Sequence, residues 1–275
     1  MIILDGKKLK EERLKALKNK IKDLKLSLAV IQIGNDEASS VYINQKKKAC
    51  ENLNVEFSHI KLEENITETK LLNIIKDLNN SDVTGILLQL PIPNHLNKMT
   101  LQNAIDYKKD VDGLNVINVN RLINNEKGLL PCTAKGIINM LKAYNIELAG
   151  KHVVIVGRSN LVGRPVSNLF LNENATVTIC HSKTKNLNEI TKLADILIAA
   201  TGKKHLITAE MIKQGAIIVD VGINKIDGTL YGDVDYENVK EKTSYITPVP
   251  GGIGPMTICC LMENIYEAYL LQNNN

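Results

Sequence analysis

From Lys8 to Leu24 the apolar residues Leu14, Leu17, Ile21 and Leu24 recur at helical spacing, and the run from Leu26 to Ile33 then reads as a buried strand. The pattern continues with a helix from about Glu37 to Leu53, a strand near Val55 to Leu62 and a helix near Thr67 to Leu78. The apolar stretch Gly85 to Leu90 is a further strand, stopped by Pro91 and Pro93. Strands alternating with helices in this way predict a parallel sheet, because parallel neighbours need a crossover of helical length between them.

A second unit opens at Pro131-Cys-Thr133, which reads as a helix start with Thr133 as its cap and Ile137, Leu141 and Tyr144 on one face. Strands are expected at His152 to Val156, Thr176 to Cys180, Asp195 to Ala200, Ala216 to Val221 and Ser244 to Val249, each separated by a helix-compatible stretch. After a loop from Pro250 to Pro255, Thr257 to Leu271 predicts a last helix, expected to return to the first domain. The expected fold class is α/β: an N-terminal α/β domain with a mostly parallel sheet, residues 1–130 plus 256–275, and a Rossmann-type doubly wound domain, residues 131–255, with a cleft between them.

Composition narrows the function. The chain has 275 residues, enough for two such domains. Its start, MIILDGKKLKEERLK, turns charged after four residues and lacks the apolar core of a secretory signal, and no run approaches the roughly 20 apolar residues of a membrane span. A cytoplasmic protein is expected, with no membrane partner. Five cysteines without CxxC spacing indicate buried free thiols, and neither a disulfide framework nor a bound metal. The net charge is +4, but the lysines are interleaved with acids and aromatics make up only 4%, which argues against a nucleic-acid partner. Of the four arginines, Arg13, Arg121, Arg158 and Arg164, the last two share one glycine-containing loop, which points to an anion there.

That loop is VVIVGRSNLVGRP, Val153 to Pro165: a strand, a tight turn and a helix start, the arrangement that aims backbone N–H groups at a phosphate. Its spacing runs from Gly157 through Ser159 to Gly163, and the surrounding βα alternation makes it a dinucleotide loop. The second strand of the unit ends Cys180-His181-Ser182-Lys183, with no acid to hold ribose hydroxyls. A carboxylate there would repel a 2′-phosphate, whereas Ser182 can donate to one and Arg158 can clamp it, so NADP is favoured over NAD. His181 reads equally well as a structural histidine or a ligand contact.

In the first domain, Tyr42 and Lys46 stand four apart on one helix and project from one face. Gln89 closes a predicted parallel strand, at the sheet end where ligands bind in open α/β folds. Asp112 precedes Gly113 in an acidic loop. Taken alone, Lys46-Lys47-Lys48 is a solvated charge run and Asp112-Gly113 an ordinary turn.

The stretches SSVYINQKKKAC, GILLQLPIP, KDVDGLN, PCTAKG, VIVGRSNLVGRP, CHSKT, IIVDVGIN, GDVD and ITPVPGGIGPMT, in this order and over nearly the whole chain, resemble the motif series of the bifunctional methylenetetrahydrofolate dehydrogenase/cyclohydrolase family. The resemblance implies a folate substrate on the first domain and NADP on the second, in a homodimeric enzyme of one-carbon metabolism and purine biosynthesis. It implies that Tyr42 stacks on the pterin and aminobenzoate, that Lys46 is the acid/base residue, that Gln89 orients Lys46, and that Asp112 accepts from the amino-pyrimidine edge. It further implies that Gly157, Arg158, Ser159 and Ser182 hold NADP phosphates, that Ile223 lies against the cofactor, and that backbone of Gly251 and Gly252 lines the cleft.

Two departures from the family pattern stand out. Leu114 to Asn120 replaces an aromatic, a His-Pro pair and a later glycine, with Asn120 expected to keep the turn in left-handed backbone. Ala134 replaces a proline at a first-turn position where proline helps but is dispensable. Alternatives remain open from residues alone: a monofunctional dehydrogenase, a shikimate dehydrogenase-like NADP oxidoreductase, or a non-catalytic folate or nucleotide binding protein.

Overall fold

The structure is a computed structural model that describes residues 1–273, with the side chains of Glu37 and Ala38 left out of the description. It divides into two compact units, residues 13–132 with 258–275 and residues 1–12 with 133–257.

The first unit is built on a three-stranded sheet, ordered Glu56–Leu62, Ser27–Ile33, Gly85–Leu88, parallel throughout. The central strand SLAVIQI is buried on both faces, so it reads as a continuous apolar run and not an alternating one. Successive side chains still leave on opposite sides. Leu28, Val30 and Leu87 join a core with Ile43, Cys50 and Leu53 of the helix Glu37–Leu53 and with Ile258, Leu261 and Ile265 of the C-terminal helix. Ile31, Ile33, Ile86 and Leu88 face the other way, onto Leu71 and Ile75 of the helix Glu68–Asn79. Both of these helices begin on the side chain expected to stop fraying: Asp36 accepts from the Ser39 N–H, and Thr67 from the Lys70 N–H.

Two short helices, Lys98–Ala104 and Val116–Ile123, are additions to the sequence reading. The second contradicts the role expected of Asn120, which is helical; the left-handed asparagine of this region is Asn125, at φ 55°. Asn115 caps that helix by accepting from the Ile117 N–H, so the segment departing from the family pattern folds as a capped helix.

The second unit carries a six-stranded parallel sheet, ordered Ile2–Ile3, Thr243–Ile246, Ala216–Asp220, Ile196–Ala199, His152–Val156, Thr176–Cys180. Counting from His152, the order is 2-1-3-4-5, a doubly wound arrangement whose switch point lies between the first and third strands. Residues 1–12, read from sequence as part of the first domain, belong to this unit: Ile2 and Ile3 pair with Tyr245 and Ile246 at the sheet edge. A two-residue strand with exposed side chains has no periodicity to announce it.

Two helix starts also differ from expectation. Cys132–Ala143 begins two residues early, so Thr133 lies inside the helix and its hydroxyl meets that of Thr257 at 3.2 Å instead of capping. The last helix spans Ile253–Asn273, taking in part of the expected loop, and Ile258 onward falls in the first unit. Among the described residues all five cysteines are buried and none is in a disulfide, and no helix is long and apolar enough to cross a membrane.

Candidate active site

In the first unit the chemistry gathers at the C-terminal edge of the sheet. Tyr42 and Lys46 lie one turn apart on the helix Glu37–Leu53, and Gln89 follows the strand Gly85–Leu88 directly. The Lys46 ammonium donates to Gln89 Oε1 at 2.7 Å, and Gln89 Nε2 donates to the Leu90 carbonyl at 2.8 Å. Gln89 is thus held at both ends of its amide and presents one oxygen to the lysine.

Burial pushes the Lys46 amine below the ordinary lysine range, and the charge of Asp112 opposes that shift. Burial pushes the Asp112 carboxyl up, opposed by Lys46 and by a hydrogen bond from Cys132. The Tyr42 hydroxyl, half-buried, is also raised by desolvation. Tyr42, Lys46, Gln89 and Asp112 are therefore brought together, with the amine bonded to Gln89 and the Asp112 carboxyl within its field.

What fixes Asp112 is a network that spacing alone does not reveal. Lys109, 8% exposed, donates to the carbonyls of Leu78, Asn79 and Ser81 at 3.4, 2.9 and 2.6 Å, closing the end of the helix Glu68–Asn79. Its own carbonyl accepts from the Ile86 N–H at 2.7 Å, which ties the loop to the sheet. Asp110 accepts from the Asn115 N–H at 2.7 Å and the Asn118 amide at 3.0 Å, while burial pushes its carboxyl up to about 6. Gly113 turns the chain at φ 69°, and a Cβ there would come within 2.4 Å of Leu130 backbone. Asn264 donates to the carbonyls of Val111 and Leu130, both at 2.8 Å.

In the second unit the expected residues all follow C-terminal strand ends. Gly157, Arg158 and Ser159 follow His152–Val156, Ser182 follows Thr176–Cys180, Ile223 follows Ala216–Asp220, and Gly251 and Gly252 follow Thr243–Ile246. Both loop glycines are demanded by close approach: a Cβ on Gly157 would lie 2.2 Å from the Ala200 carbonyl oxygen, and one on Gly163 would lie 2.1 Å from that of Gly157. The helix Gly163–Asn172 receives no side-chain cap from Val162, and Ser159 Oγ accepts from the Val162 N–H at 3.2 Å, shaping the turn before it. A glycine cradle opening into an uncapped helix, with Arg158 and Ser182 exposed beside it, fits a dinucleotide carrying an additional phosphate.

His181 serves its own turn, with Nδ1 accepting from the Lys183 N–H at 3.1 Å and its N–H donating to Thr184 Oγ1 at 2.8 Å. Gly252 closes the turn after Thr243–Ile246 by donating to the Pro248 carbonyl at 2.9 Å, and the Gly251 carbonyl accepts from the Gly6 N–H at 2.9 Å. Two buried aspartates, missed in the sequence, brace this edge. Asp233 accepts from the N–H groups of Thr201, Gly202 and Lys203 and from the Asn224 amide, and Asp220 from those of Gly222, Asp233 and Val234. Burial pushes the Asp220 carboxyl up to about 6. Among the described residues, no group of three or more histidine, cysteine or acidic side chains is placed to hold a metal.

Comparison with known proteins matches both units. The chain is 48% identical over 273 residues to the bifunctional protein FolD of Clostridium novyi, covering 97% of this chain and 98% of that one. The crystal structure of the FolD methylenetetrahydrofolate dehydrogenase/cyclohydrolase of Campylobacter jejuni superimposes with a TM-score of 0.95 at 47% identity, over 98% and 99% of the two chains. The Trypanosoma brucei enzyme, solved with NADP and an inhibitor, gives a TM-score of 0.95 at 31% identity, over 100% and 99%. A shikimate dehydrogenase from Aquifex aeolicus, 13% identical with a TM-score of 0.55, shares the fold alone. Residues 4–112 match the tetrahydrofolate dehydrogenase/cyclohydrolase catalytic domain and residues 131–273 its NAD(P)-binding domain. With both domains matched in order, and with these relatives spanning its length, the chain belongs to the tetrahydrofolate dehydrogenase/cyclohydrolase family.

Proposed function

We propose that the protein oxidises 5,10-methylenetetrahydrofolate to the 5,10-methenyl compound with NADP and hydrolyses that product to 10-formyltetrahydrofolate. The observation that carries the reading is the 2.7 Å bond from the buried Lys46 amine to Gln89. An unperturbed lysine, near pKa 10.4, would be almost wholly protonated at neutral pH and a poor base. Desolvation lowers Lys46 from that value, and the methenyl substrate, itself a cation, would lower it further. Lys46 then takes the proton of water as it adds to the methenyl carbon, and returns one as the carbon–nitrogen bond at N5 opens.

Gln89 holds the amine in line, Tyr42 offers its ring to the pterin and aminobenzoate, and Asp112 accepts from the amino-pyrimidine edge. NADP, when bound, supplies the hydride acceptor; Gly157, Arg158, Ser159 and Ser182 would hold its phosphates, Ile223 would lie against it, and backbone of Gly251 and Gly252 would face the substrate. Residues 13–132 with 258–275 form the folate-binding unit in this reading. The same reading makes the protein a cytoplasmic homodimer that supplies formyl groups for purine biosynthesis.

A spectrophotometric assay tests it. NADPH should appear with methylenetetrahydrofolate and not with shikimate, and methenyl absorbance should decay when that compound is added alone. Lys46→Met should abolish the decay and leave NADP affinity unchanged; normal hydrolysis by that variant would remove Lys46 from the mechanism.

A further inference from the structure

Among the described residues, one buried side-chain polar atom lacks a protein partner: Gln32 Nε2, on a residue 2% exposed in the central strand Ser27–Ile33. A buried amide N–H without an acceptor forfeits the hydrogen bond it made to water, so such an atom in a well-packed strand calls for an explanation. Its position supplies one. Side chains alternate along the strand, with Leu28 and Val30 on the face toward the helix Glu37–Leu53 and Ile31 and Ile33 on the opposite face. Gln32 therefore shares the face of Leu28 and Val30. In the neighbouring strand Leu87 takes that face and Leu88 the other, so Gln89 returns to it.

The register makes Gln32 and Gln89 lateral neighbours. Ile31 pairs with Leu88, and the Gln89 N–H donates to the Ile31 carbonyl at 2.8 Å. On the other side of Gln32, His59 of the edge strand Glu56–Leu62 contacts Gln32 Oε1 through Nε2 at 2.9 Å. Oε1 accepts only, so His59 carries its proton on Nε2 and the amide is oriented. With Oε1 claimed from the Glu56–Leu62 side, Nε2 is left on the side of Gly85–Leu88, where Gln89 stands. Gln89 Oε1 takes one bond from Lys46 and keeps a second lone pair. Adjacent strands lie about 4.8 Å apart, and no direct bond joins the two amides, which is the spacing a single bridging oxygen fills.

We propose that Gln32 is a further positioning residue of the folate-binding site, holding through Nε2 one buried water that donates to Gln89 Oε1. The row His59, Gln32, water, Gln89, Lys46 then runs across the sheet and fixes the amine from the central strand. The inference rests on the catalytic reading of Lys46 and Gln89 given above.

Two measurements test it. A high-resolution crystal structure of the unliganded protein should show a water within hydrogen-bond distance of both Gln32 Nε2 and Gln89 Oε1; Nε2 donating to a protein atom, or no water there, overturns the proposal. Gln32→Leu keeps the volume and removes the bridge. It should lower kcat for methenyl hydrolysis about tenfold, the worth of one neutral hydrogen bond, with KM for NADP and the melting temperature unchanged. Hydrolysis at the wild-type rate by a folded Gln32→Leu protein also overturns it. Wild-type protein run alongside separates the two readings: if it fails to hydrolyse the substrate, the catalytic assignment fails, whereas equal rates in both proteins sink the Gln32 inference alone. Should the variant not fold, the wild-type crystal structure still decides.

Discussion

Replacing Gln89 with leucine isolates the bond to Lys46 that carries the proposed hydrolysis. The two side chains have similar volume, so the change removes polarity without opening a large cavity. The Leu90 carbonyl, which loses Gln89 Nε2, keeps the Ser39 hydroxyl at 3.2 Å, and the local backbone stays partnered. Lys46 loses its acceptor at 2.7 Å. A hydrogen bond to a charged group is worth about 1.5–3 kcal/mol. Lost in full from the transition state, it lowers kcat for hydrolysis by about 10- to 150-fold.

The sign of the pH effect follows from the same bond. An acceptor favours the ammonium, and without it burial has less opposition, so the Lys46 pKa falls further. The midpoint of the kcat–pH profile assigned to this amine should therefore move to lower pH in Gln89→Leu. The assay is the decay of methenyl absorbance from pH 6 to 10, with NADPH formation measured in parallel. Hydrolysis within about threefold of wild type, together with an unmoved midpoint, would refute the claim that Gln89 sets the state of Lys46.

Three further outcomes follow from the two units. Gly163→Ala places a Cβ 2.1 Å from the Gly157 carbonyl oxygen, so the phosphate loop must open; NADPH fluorescence titration should show Kd raised about tenfold or more, and an unchanged Kd would mean that the loop does not hold the phosphates. Lys109→Met strips the Asn79 and Ser81 carbonyls of their donor, while the Leu78 carbonyl keeps the Ser81 N–H and hydroxyl, and should cost about 3 kcal/mol in urea unfolding, with folate KM raised as the Asp112 loop loosens; unaltered stability would show that this cap is ornamental. The Asp110 carboxyl, pushed up to about 6 from an unfolded value near 3.9, binds a proton in the folded state before the unfolded chain does. Its contribution to stability is present below about pH 4 and is lost as pH rises through 6, a swing of about 3 kcal/mol. Asp110→Asn keeps an oxygen for Asn115 and Asn118 and should flatten that swing in unfolding curves taken across the range; a curve superimposed on wild type contradicts the assignment.

Elements buried on both faces and loops that need glycine are legible along the chain. Strands such as His152–Val156 and Gly85–Leu88 announce themselves because a parallel sheet covered on both sides admits almost nothing polar. Gly157 and Gly163 are legible because backbone passes within a Cβ's reach there. Tyr42 and Lys46 could be paired because helical spacing is a local rule. Tertiary structure alone decided the partners of the polar groups.

Nothing near Ile2 indicates that it pairs with Tyr245, or that Lys109 closes a helix some 30 residues earlier. Asn120 was expected in a left-handed turn because asparagine tolerates one, yet Asn115 supplied a cap and the segment became helical. Asp220 and Asp233 look like surface acids until the strands bring buried N–H groups to them. Gln32 sits in an otherwise apolar strand, and its meaning depends on His59 to one side and Gln89 to the other. Apolar periodicity is written in the chain because burial acts on each residue where it stands, whereas a hydrogen bond needs a second group at 3 Å, and only the folded sheet chooses which one arrives.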